Sequence, residues 1–136
     1  MRFQSARGST LIEVIVALGI VAAIATASAQ LVSMTVRANA VAQTLTAAVI
    51  LAQQKIEELL PEAGLGLNLS PPEALAEDRA GCFDVVSWRG RVLRRRWSIA
   101  PLAGAADSTL AVQVLVSDAK DGAQVHLVAA KARTGF

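Results

Sequence analysis

The chain is poor in the residues that most chemistry requires. Its 136 residues include one cysteine, Cys82, one histidine, His126, and no tyrosine. A lone cysteine excludes an intramolecular disulfide, so the fold stands on packing alone, and Cys82 reads as a small buried hydrophobe. His126 has no second histidine, metal-ligand spacing or nucleophile elbow beside it, which marks it as a packed or surface side chain. The expectation is a non-enzymatic protein without cofactor, metal site or small-molecule substrate. Two further absences are local. No charge lies between Glu13 and Arg37, and no proline lies between Met1 and Leu60.

The formal net charge of +2 depends on where it sits. Arg2 and Arg7 are the only charges before Glu13. With residues 1–8 set aside, eleven basic residues face eleven acidic ones. A chain-wide nucleic-acid footprint is therefore disfavoured.

Residues 14–36 form a charge-free run of 23 residues. As a helix it would span about 35 Å at roughly 1.5 Å per residue, enough to cross a hydrocarbon core of about 30 Å. Its alanines, with Thr26, Ser28 and Ser33, favour close helix–helix approach. From Arg37 onward polar residues enter. Val41, Leu45, Ala48, Ala52, Ile56 and Leu59 recur at spacings of three and four, a stripe on one helix face. Pro61 should end the run. The reading is one continuous helix over 9–60, apolar all round in its first half and docked by one face in its second.

Residues 61–81 have loop composition, with a brief helix expected over 72–78. The period then becomes two. Strands are expected over 83–88, 91–99, 109–116 and 123–131, with a tight turn at Arg89-Gly90, a loop over 101–108 and a turn over 118–122. Leu93, Arg95, Trp97 and Ile99 share one face of the second strand; Val92, Arg94 and Arg96 share the other. The expected fold is α+β: a long N-terminal helix packed on a small antiparallel β-sheet of about four strands, whose apolar face the helix covers.

The segment Arg7-Gly8-Ser9-Thr10-Leu11-Ile12-Glu13, followed by the apolar run, resembles the prepilin cleavage and methylation motif of type IV pilins and type II secretion pseudopilins. The 52–59 segment, the arginine-rich strand and the paired C-terminal strands look like PilV-like or I-type minor subunits. The resemblance implies a leader cut between Gly8 and Ser9 by prepilin peptidase, N-methylation at Ser9, and a subunit-assembly role for Glu13. Ser9 stands where the family usually has phenylalanine. Physical reasoning points the same way. Glycine lets the backbone lie extended in a protease cleft. A carboxylate beside a membrane span needs a compensating group. A free amine at Ser9 of a neighbouring subunit would supply one.

The resulting organisation is a cytoplasmic leader at 1–8, a transmembrane or filament-core helix at 9–36 and an extracytoplasmic domain at 37–136. The arginines favour residues 1–8 inside and the domain periplasmic, in a bacterial inner membrane. The implied role is a minor type IV pilin that initiates or caps filament assembly. Its partners would be other pilin or pseudopilin subunits, prepilin peptidase and assembly platform proteins. A minor pseudopilin of a type II secretion system is the alternative. A secreted soluble domain cut after Ala29 is an alternative of another class, since Ala27-Ser28-Ala29 is a legitimate signal-peptide site; Glu13 and the unbroken helix oppose it. Arg89, Arg91, Arg94, Arg95 and Arg96 raise DNA binding. A strand splits them across two faces, with Glu73, Glu77, Asp78 and Asp84 close by, so a salt-bridged sheet edge or subunit contact reads better.

Overall fold

A computed structural model describes residues 6–64, 69–105, 109–120 and 122–132, with the side chains of residues 6–9 excepted. Residues 1–5 of the expected leader, and parts of the expected loops at 61–81, 101–108 and 118–122, lie outside the described residues. Helix α1 runs Ala6–Gly64, and four strands follow: β1 Phe83–Trp88, β2 Arg91–Pro101, β3 Thr109–Asp118 and β4 Gln124–Ala132. They form one antiparallel sheet in sequence order, β1-β2-β3-β4. The expected α+β fold, a long helix on a four-stranded antiparallel sheet, is the observed one. The chain divides into two compact units, Met1–Ala40 and Val41–Phe136.

In the second unit, period-two alternation decides which side chains meet the helix. Leu93 and Ile99 on β2, and Leu110, Val112, Val114 and Val116 on β3, are buried in one core with Ala47, Ala48, Leu51, Ala52, Ile56, Leu59 and Ala63 of α1. Val86, Trp97, Val125, Leu127 and Ala129 pack at its margin. The alanines on the helix let it lie close to the β-branched row beneath. Burying one such valine contributes roughly 1.5–3 kcal/mol, so the β3 row is a substantial part of the core's apolar burial.

Three expectations about α1 need correction. The helix begins at Ala6, not Ser9, so the Gly8–Ser9 peptide lies within helical backbone. It also passes through Pro61 to Gly64. Proline removes one N–H donor while its own φ suits a helix. The last turn is held from outside, because Leu59 and Ala63 are both buried against the sheet. Finally, the docked stripe starts later than expected: Val41 and Leu45 are 40% and 36% exposed, and Thr44 is the first buried residue. The sheet's length explains this. A strand of nine or ten residues spans about 30 Å at roughly 3.3 Å each, which matches about twenty helical residues. Residues 44–63 fill that length, so Val41 lies beyond its rim; Leu45 lies instead on the flank of the docked face, on one helical row with Val49, which is likewise exposed.

The opposite sheet face is covered in part. The short helix expected over 72–78 is a 3-10 turn, Pro72–Leu75, started by proline and tucking Ala74 against the sheet. Ser70 bridges Ile99, its N–H donating to the Ile99 carbonyl and its hydroxyl accepting from the Ile99 N–H. Ser98 is fully buried there, and its Oγ has no hydrogen-bond partner among the described residues.

Candidate functional site

In the first unit the side chains described from residue 10 onward are almost all exposed, although the sequence there is apolar on every side. Leu11, Ile12, Val14, Ile15, Val16 and Leu18 are all more than half exposed. A helix apolar all round requires lipid or other helices around it. Four of its hydroxyls are already satisfied by the helix itself. Thr26 Oγ1 donates to the carbonyls of Ala22 and Ala23, Ser28 Oγ to Ile24, Ser33 Oγ to Gln30, and Thr35 Oγ1 to Leu31, all at 2.8–3.0 Å. Such back-bonding removes the cost of taking a hydroxyl into hydrocarbon. α1 is the one described helix long and apolar enough to cross a membrane.

Glu13 is the exception on this surface. It is exposed, one turn into the apolar helix, and nothing among the described residues pairs with it. Gly8 and Ser9 lie one turn earlier in the same helix, where only the backbone is described. At 1.5 Å rise per residue, Ser9 and Glu13 are separated by about 6 Å along the axis. The three residues singled out in the sequence therefore share one helical segment.

The arginine-rich strand resolves differently from its one-dimensional appearance. β2 is an inner strand, not the sheet edge that was expected. Its arginines divide by face. Arg95 turns toward α1 and grips Asp84 with two bonds, Nε to Oδ1 at 2.7 Å and Nη2 to Oδ2 at 2.6 Å. Its Nη1 reaches the Leu51 carbonyl at 3.4 Å. Beside it, Lys55 of α1 binds Glu58 at 2.8 Å, lies 4.0 Å from Asp84 and sits 4.1 Å above the Trp97 ring. Arg94 and Arg96 face the other way and share Asp78, at 2.9 and 2.8 Å. Arg91 meets the buried Asp118 at 3.0 Å. The salt-bridged reading of the cluster is thus observed for Arg91, Arg94, Arg95 and Arg96. The inward layer of Arg95, Asp84 and Lys55 was not anticipated. Its signal was present: Arg95 shares a period-two face with Leu93 and Ile99, and Lys55 shares a helical face with Ala48 and Ala52.

His126 is exposed on β4, with Nε2 3.1 Å from Gln113 Oε1. Cys82 is buried and free, and its carbonyl accepts from the Trp97 N–H. Among the described residues no group of three His, Cys, Asp or Glu side chains is placed to hold a metal ion.

A helix apolar on every side, with one acid a turn from a Gly-Ser pair at its start, can be set against known sequence families. Residues 4–29 match the model of the prokaryotic N-terminal methylation motif. The chain carries a prepilin-type motif of the type IV pilin and pseudopilin kind. Neither the curated proteins nor the solved structures compared with the chain give a match. The motif contains Gly8, Ser9 and Glu13, and families that carry it are structural rather than enzymatic. It implies interaction with other pilin subunits and with prepilin peptidase. Together with the apolar helix, the prepilin-type motif points to a membrane-anchored protein.

Proposed function

We propose that this chain is a minor type IV pilin, a structural subunit that enters the bacterial inner membrane, loses residues 1–8 to prepilin peptidase and helps initiate or cap a filament. The observation that carries this reading is the placement of Glu13 one turn beyond Gly8-Ser9, at the head of the charge-free run 14–36, whose large apolar side chains are exposed. Residues 9–36 then serve as membrane span and filament core, and residues 37–136 as the displayed domain. The two leader arginines keep the N-terminus cytoplasmic and leave the domain periplasmic. Cleavage frees the Ser9 amine, the site for N-methylation. The Glu13 carboxylate of one subunit meets the amine of its neighbour in a water-poor helix bundle, where a charge pair fixes register. The work is assembly with other subunits on platform proteins, without catalysis.

The helical backbone at Gly8–Ser9 adds a requirement. A peptidase cleft that takes extended chain must unwind this turn first, and glycine lowers that cost because it favours helix less than alanine by roughly 1 kcal/mol. Mass spectrometry of the mature N-terminus tests the reading directly. The expected start is Ser9, methylated or not; an intact Met1, or a start at Gln30 as a signal peptidase would leave, sinks it. Glu13→Ala is expected to insert in the membrane normally but to lose co-purification with filament partners.

The same features suit a minor pseudopilin of a type II secretion system. Gene deletion separates the two. Loss of piliation supports the pilus, and loss of protein secretion with pili intact supports the secretion system.

A further inference from the structure

The sheet is open on both sides. β1 and β4 are its edges, and among the described residues neither pairs with a strand on its outer side. An unpaired edge is a template for another strand, usually blunted by proline, charge or a bulge. β4 has nine residues with no proline and one charge, Lys131; β1 has six, with Asp84 alone. The large apolar side chains that the sheet leaves exposed are Val85 and Trp88 on β1, Val92 on β2 and Val128 on β4. Three of these four are on the edges.

The outward hydrogen-bonding groups follow from the ladder. The Trp97 N–H donates to the Cys82 carbonyl, and the Asp118 N–H to the Ala123 carbonyl. Antiparallel ladders alternate bonded and non-bonded pairs. With the observed registers, Phe83, Val85 and Ser87 therefore direct their backbone groups outward from β1, and Val128, Ala130 and Ala132 do so from β4. Three antiparallel steps separate the two edges, so β1 and β4 run in opposite directions. Two copies of equal polarity set side by side bring β4 of one antiparallel to β1 of the other. An antiparallel pairing of β4 with β4 would need copies of opposite polarity, a two-fold contact.

We propose that β4 of one copy adds to β1 of a second copy of this chain, with residues 127–132 opposite residues 88–83. In this register the outward groups meet and the helix-facing sides stay continuous. Lys131 lies opposite Asp84, Leu127 opposite Trp88, and Val128 opposite Ser87. Registers displaced by two residues lose the Lys131–Asp84 match. Because the contact is head-to-tail, it leaves a free edge at each end and can propagate. The proposal rests on the anchored-subunit reading only for the common polarity.

The test uses the full-length protein in membranes, in a Cys82→Ala background. Ser87→Cys and Val128→Cys both lie at exposed positions. Within one sheet they are three strand spacings apart, about 14 Å, and offset by a further six residues along the strands, about 20 Å, far beyond the reach of a disulfide at about 7 Å. Between copies a bonded pair places the Cα atoms about 5.5 Å apart, within reach. Under mild oxidation the double variant is expected to give dimers and higher multiples on non-reducing gels. Co-expressed single variants should give mixed dimers, and each single variant alone should stay monomeric. Monomer throughout overturns the proposal, as does a dimer from either single variant alone, which would mean a two-fold contact. The mature N-terminus is read on the same sample. Monomers starting at Ser9 defeat the edge pairing but spare the pilin reading, whereas an intact Met1 defeats that reading itself.

Discussion

At the scale of single residues, the least expected feature is a salt bridge under a helix. The Arg95 side chain is only 10% exposed and Asp84 is 34% exposed, so the pair is half-dry. Charges taken out of water are costly to leave alone, and breaking a buried pair costs about 3–5 kcal/mol, an upper figure here because water still reaches Asp84. Asp84→Asn would leave Arg95 and Lys55 as neighbouring cations with weakened compensation. It should destabilise the domain by about 1–3 kcal/mol. Arg95→Met should cost less, because methionine fills the stem's volume and removes the charge. The double variant should recover part of the Asp84→Asn loss, as coupled neighbours do. Thermal unfolding of the full chain in detergent measures all three. Equal, additive losses would mean that the pair is energetically idle. The arginine's inward face was legible in the sequence, through its period-two company of Leu93 and Ile99. Its partners were not, because the register that places Asp84 beside Arg95 and the helix rotation that lays Lys55 over Trp97 are three-dimensional facts.

At the scale of elements, the β1–β2 hairpin shows how far local chemistry reaches. Arg89 and Gly90 have φ of 47° and 78°, so both central residues of the two-residue turn are left-handed. That is a type I′ turn, whose twist suits antiparallel strands. Gly90 accepts it freely. Arg89 does not, since a side chain in this region costs roughly 1–2 kcal/mol. Two substitutions of opposite sign follow. Arg89→Asn should stabilise the domain by a few tenths to about 1 kcal/mol, because asparagine tolerates this conformation. Gly90→Ala should destabilise by more than about 1 kcal/mol, although a Cβ there would meet no neighbour within 4 Å. The penalty is purely conformational. Urea unfolding checks both, and destabilisation by Arg89→Asn would argue for an untraced role of the arginine. β1 was read from the sequence with its observed ends, because a turn signal and alternation agree there. The end of α1 was misread for the converse reason. Proline is a strong local stop, yet burial of Leu59 and Ala63 on the sheet outweighs it.

At the scale of the whole molecule, the buried side chains are unevenly shared. Among the described residues every buried one lies at Thr44 or later, and the chain's first compact unit ends at Ala40. The apolar half of α1 thus contributes surface without contributing to that core. This separation was legible in composition, since the charge-free run stops at Arg37 and the amphipathic pattern begins there. What the sequence left open was where docking starts, which depends on how long the sheet is. Folding of the domain should accordingly not need the anchor. A chain starting at Arg37 removes no side chain that is buried among the described residues, and it should be soluble without detergent. It should show the circular dichroism of a mixed helix and sheet, and it should unfold cooperatively, as single domains of about this size do. The full chain should need detergent or lipid, because its exposed apolar residues from Leu11 to Val36 stay unpaired in water. Val41, Leu45, Val49 and Ile50 remain exposed on the fragment, so weak self-association at high concentration is compatible with this outcome. Broad, non-cooperative melting is not. It would mean that the first forty residues hold the domain together, and that the division between an assembly helix and a displayed domain does not describe how this chain folds.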